Sequence, residues 1–131
     1  MAFIRPEDKL KQMLIFHPKK VGKKKSDTPT PTPSYDTDAQ AFFTAVEGGG
    51  DTLTTTQKDA TNQLVLDLKA ASLFTVFDAF YPFVGGTATS HKWNLLDPQD
   101  TDAAYRMTFL GGMTHSSTGI RGNGTNSVGN T

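Results

Sequence analysis

Apolar residues recur at helical spacing in four stretches of the chain, separated by long polar or glycine-rich intervals. The first is Leu10, Met13 and Leu14, preceded by Pro6, Glu7 and Asp8, a proline at the first helical position with acids in the first turn. Pro18 ends this short helix, because the residue before a proline is pushed out of the helical region. A second helix carries Ala41, Phe42, Ala45 and Val46, is capped by Asp36 or Asp38, and closes at Gly48, Gly49 and Gly50. A third starts near Thr54 to Thr56 and runs to about Ala71, with Ala60, Leu64, Leu68 and Ala71 as its stripe and Val65 widening it. Leu73, Phe74, Val76, Phe77 and Phe80 predict one more short helix, ended by Pro82 and the Gly85–Gly86 pair.

Beyond Gly86 the period changes. His91 to Leu95 and Tyr105 to Leu110 read as two strands, with Tyr105, Met107 and Phe109 facing one way and Arg106 and Thr108 the other. The intervening LDPQDTDAA is a turn built on Asp-Pro and capping aspartates. The expected fold class is therefore α+β: an extended N-terminal arm, two to three short helices followed by a few β-strands, and a small oligomeric domain. Residues 1–18 form an arm whose apolar stripe is too short to stay helical alone and so needs a partner to lie on. Residues 19–34 are a basic, Pro/Thr-rich linker, extended and semi-rigid across PTPTP. Residues 35–110 make the folded domain, and the Gly/Ser/Thr/Asn-rich segment 111–131 reads as loops leading into a further β-rich region.

Charge sharpens the division. The formal net charge is zero, yet residues 1–25 hold eight basic side chains against Glu7 and Asp8, a net of +6, while the remaining five basic and eleven acidic side chains give −6. A basic arm of this kind seeks an acidic surface; acidic protein is favoured here and nucleic acid is the lesser alternative, because no aromatic residues interleave with the lysines for base stacking. The partner-binding candidates are Ile4, Leu10, Met13, Leu14, Ile15 and Phe16 for apolar contact and Lys19, Lys20, Lys23, Lys24 and Lys25 for charge. The chain has no cysteine, which excludes disulfides, thiolate metal sites and a cysteine nucleophile. Neither a signal peptide nor a membrane-spanning run is expected.

Candidate chemistry is sparse. His17, His91 and His115 match no local metal-ligand spacing, so structural or solvent-exposed histidine is the reading adopted. Asp97, Asp100 and Asp102 lie close together, but turn and capping roles account for them better than an acid–base pair does, and the spacing of a calcium loop is missing. Ser116 and Ser117 have no nucleophile-elbow context, and Gly119, Gly122 and Gly124 fit no phosphate-binding pattern. The aromatic middle, Phe42, Phe43, Phe74, Phe77, Phe80, Tyr81, Phe83 and Trp93, is assigned to core or subunit packing. No catalytic residue, metal or cofactor is predicted.

The phrases YPFVGGTATSHKWNLLDP, DTDAAYRMTF and GGMTHSSTG, within a block from about residue 35 to 127, resemble a segment of structural proteins of tailed bacteriophages, tail-fibre-like and other appendage proteins of crAss-like phages among them. The resemblance implies a virion protein, assembled in the bacterial host cytoplasm, whose N-terminus docks on capsid, portal or tail components. It also implies a homo-oligomer such as a trimer, and a longer product continuing into a variable region such as a concanavalin-like β-sandwich. The Gly48–Gly50 run and the basic residues before the linker lie outside that pattern. The alternative function is a carbohydrate-binding, lectin-like receptor module, with Trp93 and Tyr105 as stacking platforms. A polysaccharide depolymerase would need Asp100 and Asp102 as its acids and is not favoured.

Overall fold

The computed structural model describes residues 34–131, which form one unit from Ser34 to Thr131. Its architecture is α+β. Helices α1 (Thr37–Gly48), α2 (Thr55–Ala70) and α3 (Ala88–His91) come first, then a 3-10 turn at Asp102–Ala104. Four three-residue strands follow: β1 (Thr108–Leu110), β2 (Thr114–Ser116), β3 (Gly119–Arg121) and β4 (Val128–Asn130).

Both long helices start where side-chain oxygens can satisfy orphan backbone donors. Asp36 caps α1 by accepting from the Asp38 N–H at 3.0 Å. Thr54 caps α2 in a capping box with Gln57, each side chain accepting from the other's backbone. Lys69 in the last turn of α2 reaches Asp36 and Asp38, each at 2.6 Å, at the start of α1. A cation near one helix's C-terminus thus meets acids near the other's N-terminus, the pairing both dipoles favour. Hydrogen bonding from Lys69 in the first place, and from the Asp38 amide, holds the Asp36 carboxyl below its ordinary range.

The core is Ala39, Phe42, Phe43 and Val46 of α1, Val65 of α2, and Leu53, Trp93 and Leu95 from the connections. The buried faces are rotated slightly from the expected ones. Phe43 rather than Ala41 turns inward on α1, and Thr61 and Val65 are buried on α2 while Ala60 and Ala71 are exposed. The reason is volume: a phenyl ring removes far more apolar area from water than an alanine methyl, so its position decides which way the helix turns.

Leu73 to Phe80 is not a helix. Ser72 takes a left-handed conformation, φ 58°, and the Leu73 N–H closes back on the Leu68 carbonyl at 2.8 Å, which terminates α2 and reverses the chain. Beyond that reversal the run does not resume helical bonding. It instead forms a turn from Leu73 to Val76.

His91 to Leu95 is not a strand either, since Trp93, Asn94 and Leu95 are buried in succession. The Asn94 side chain supplies the hydrogen bonds a ladder would have supplied. Its Oδ1 accepts from Phe80 N at 2.9 Å and Leu96 N at 3.1 Å, and its Nδ2 donates to the carbonyls of Asp78 and Ala104, each at 3.1 Å. Two backbone bonds, Leu95 N to Phe80 O at 2.8 Å and Met107 N to Lys92 O at 2.9 Å, complete the stitching.

The expected Tyr105–Leu110 strand is real only over Thr108–Leu110, because Tyr105 sits left-handed, φ 56°, at the end of the 3-10 turn. The segment 111–131 holds three of the four strands, and β4 returns to pair with β1, Leu110 opposite Val128 and Thr108 opposite Asn130. β2 and β3 form a separate hairpin, His115 opposite Ile120. Gly111, φ +74°, makes the β1–β4 pairing possible: a Cβ there would lie 1.9 Å from the Asn126 carbonyl oxygen. Gly111→Ala is expected to open this ribbon while leaving the helices folded, seen as loss of amide protection confined to 108–110 and 128–130. Gly112→Ala, with the same φ but its nearest neighbour 3.6 Å away, should cost only the left-handed strain of about 1–2 kcal/mol.

Candidate functional site

The eleven partner-binding candidates, Ile4, Leu10, Met13, Leu14, Ile15, Phe16, Lys19, Lys20, Lys23, Lys24 and Lys25, lie outside the described residues, as does His17. The described unit holds the other candidates, and they fall into three groups.

The first group is the carboxylates. Asp100 is bridged by Lys92 Nζ at 2.9 Å and by Arg106 Nη1 at 3.0 Å, and Asp102 accepts from Arg106 Nη2 at 2.8 Å. Lys92 first, and Arg106 second, hold the Asp100 carboxyl below the ordinary carboxylate range. The capping role expected of these two aspartates is not seen: Asp100 ties the end of α3 to the approach of β1 through Lys92 and Arg106, while Asp102 opens the 3-10 turn and pairs with Arg106 four residues on. Asp97 and Asp102 keep turn roles, their backbone carbonyls accepting from the Gln99 N–H at 2.9 Å and the Tyr105 N–H at 3.0 Å. Beside this pairing runs an open groove of about 360 Å³ between Thr89 and Lys92 on one wall and Arg106 to Phe109 on the other.

The aromatic platforms form the second group. Trp93 is 6% exposed, packed into the core with Lys92 Nζ 4.5 Å above its ring. A ring so enclosed presents no face to a sugar. Tyr105 is 45% exposed, and its carbonyl accepts from the Tyr81 hydroxyl. Of the pair expected to stack on carbohydrate, the structure leaves one at the surface.

The third is the pair of histidines, brought together across 24 residues of sequence: His91 Nδ1 and His115 Nδ1 lie 3.0 Å apart. His91 is 1% exposed, and its Nε2 is buried without a hydrogen-bond partner. Burial first, and the facing His115 second, lower its basicity, against a counter-pull by Asp51 and the Phe83 backbone. Among the described residues no three His, Cys, Asp or Glu side chains converge in a way that would hold a metal ion. Ser116 serves the hairpin turn, its Oγ 2.9 Å from Thr118 Oγ1. No described helix is long and apolar enough to cross a membrane.

Two features escaped sequence reasoning. The histidine contact depends on how the hairpin folds back, and no local spacing encodes it. Large apolar side chains are also left in water: Leu73, Val76 and Phe77 on the turn after α2, and Leu110 with Val128 facing each other on the β1–β4 ribbon, with Val76 67% and Leu110 57% exposed. Of these, sequence reasoning had placed only Phe77, in core or subunit packing.

Comparison with protein-family models, with curated proteins and with solved structures gave no match for this chain.

Proposed function

We propose that this protein is a bacteriophage virion structural component that fixes a fibre or appendage to the particle through its N-terminal arm, with the folded unit as an oligomeric hub. The observation that carries the reading is the exposed apolar pair of surfaces on the folded unit, the 73–77 turn and the Leu110–Val128 ribbon end. Side chains of this size stranded in water mark surfaces that bury against protein. Neighbouring subunits of a symmetric appendage would cover them. The phrase-level resemblance to phage appendage proteins supports the same setting, as does the arm's combination of apolar stripe, lysine run and extended spacer.

The arm's contribution is apolar burial by Ile4, Leu10, Met13, Leu14, Ile15 and Phe16, at about 25 cal/mol per Å² before the cost of ordering the arm. Lys19, Lys20, Lys23, Lys24 and Lys25 add attraction to an acidic protein surface that weakens as salt rises. In a symmetric assembly several arms act together, so affinity multiplies through effective concentration.

Deleting residues 1–18 tests the reading. The truncated protein is expected to fold and to disappear from purified particles by at least about tenfold, the loss that 1.4 kcal/mol of docking energy represents. Undiminished incorporation would reject the arm as the attachment.

A further inference from the structure

We infer that the His91–His115 contact is an acid-sensitive latch holding the β2–β3 hairpin against α3, released as both rings become protonated. The inference is independent of the virion reading and rests on how the hairpin is held.

A two-stranded ribbon of three-residue strands is not stable in water by itself, so its order depends on what it lies against. Two attachments are visible. At the turn end, the backbone of Ser116 and Ser117 closes on Gly86, where a Cβ would come within 3.1 Å of the Ser117 nitrogen. On its inner face, His115 sits half-buried with its Nδ1 3.0 Å from that of His91. Aromatic rings enclose the pair: Phe83 meets His91 edge-on at 5.7 Å and Phe109 meets His115 edge-on at 4.6 Å. Gly112 before β2, at φ +74°, and Gly122 after β3 give the ribbon pliable ends.

An Nδ1 to Nδ1 hydrogen bond requires one N–H and one lone pair. While both rings are neutral, one Nδ1 donates and the other accepts. Protonating either ring leaves its Nδ1 able only to donate, so the contact then needs a lone pair on the other ring. Protonating both rings leaves two N–H groups and two positive charges face to face in an apolar surround. The other charged group facing His91 is Asp51, from the connection between α1 and α2. Its carboxylate is already engaged by the Thr87 hydroxyl at 2.7 Å and the Thr52 amide at 2.8 Å.

The sign follows from linkage. A histidine less basic when latched than when free contributes stability that is complete above the free imidazole value near 6.5, and that is lost as pH falls below it. The Asp36, Asp51 and Asp100 carboxyls are held below the ordinary carboxylate range, so the latch opens before they protonate. Suppression of His91 shifts the opening equilibrium by up to about tenfold one pH unit below the free value.

Amide exchange on the full chain, corrected for intrinsic rates, tests this at pH 7.5 and 5.5. Protection of residues 114–121 is expected to fall by about tenfold on acidification, with α1 and α2 unchanged. His115→Gln, whose amide oxygen can still accept from His91 but does not titrate, should keep the hairpin protected at both pH values. Unchanged wild-type protection at pH 5.5, an equal loss in α1 and α2, or the same pH dependence in a folded His115→Gln protein would each overturn the latch. Should His115→Gln fail to fold, the wild-type comparison of hairpin with helices decides alone.

Discussion

Asn94→Leu is expected to destabilise the folded unit by about 3–5 kcal/mol, a large share of the roughly 5–15 kcal/mol typical of a domain. Leucine matches asparagine in bulk but has no polar atoms, and Asn94 is 1% exposed. The substitution strands two backbone donors, Phe80 N–H and Leu96 N–H, and two acceptors, the carbonyls of Asp78 and Ala104. Leaving buried polar groups without partners costs about 1–3 kcal/mol each, moderated where a group can turn toward water. Asn94→Asp separates the two halves of the network, since it keeps the accepting oxygen and turns the donor side into a second oxygen facing two carbonyls. It should be destabilising by more than the donor half alone, because a buried carboxylate then faces two carbonyl oxygens. Urea unfolding followed by far-ultraviolet circular dichroism measures both, and a loss below about 1 kcal/mol in Asn94→Leu would show that this side chain does not hold the three segments together.

The two long helices were legible because their signals are local and redundant; the four-residue α3 was not read. Asp36 and Thr54 mark the starts, Gly48 to Gly50 mark one end, and the stripes through Phe42–Val46 and Leu64–Leu68 have the right period. The α+β class followed from the change of pattern after Gly86. What was not legible lies where one side chain stands in for secondary structure. Nothing near WNLL announces that an asparagine will bind segments 10 and 14 to 16 residues away. An aromatic, partly alternating stretch therefore reads as a strand, although its buried neighbours Trp93 and Leu95 flank a polar hub. Ser72 misled in the opposite sense: a non-glycine residue in left-handed conformation gives no warning that α2 ends and that the helical spacing beyond it will go unused.

The site was less legible than the fold for a related reason. Asp100 and Asp102 were recognisable as a cluster, but the bridge from Asp100 to Lys92 needs the chain to fold back between α3 and β1. His91 and His115 are brought together by the same return, through the register of a hairpin read from sequence only as loops. Strands of three residues carry too few positions for alternation to stand out against glycine and serine.

Phe43→Ala is expected to cost about 3–5 kcal/mol, the range for emptying a fully buried phenyl site. The ring is 0% exposed, meets Tyr35 edge-on at 5.1 Å and Phe42 at 6.3 Å, and lies beneath Lys58 Nζ at 5.7 Å. Its loss also loosens Tyr35, whose hydroxyl donates to Asp59 at 3.0 Å and helps clasp α1 to α2. Phe77→Ala is the informative contrast. That ring is 42% exposed, so its removal should change the unfolding free energy by less than about 1 kcal/mol. If the 73–77 turn buries against neighbouring subunits, the same substitution should lower the oligomer's association by tenfold or more, about 1.4 kcal/mol. Thermal unfolding and sedimentation measured on both variants separate the two roles: Phe43 governs whether the unit folds, and Phe77 whether folded units assemble. A Phe77→Ala protein that folds and assembles as the wild type does would remove the 73–77 turn from the interface and weaken the hub reading at its main support.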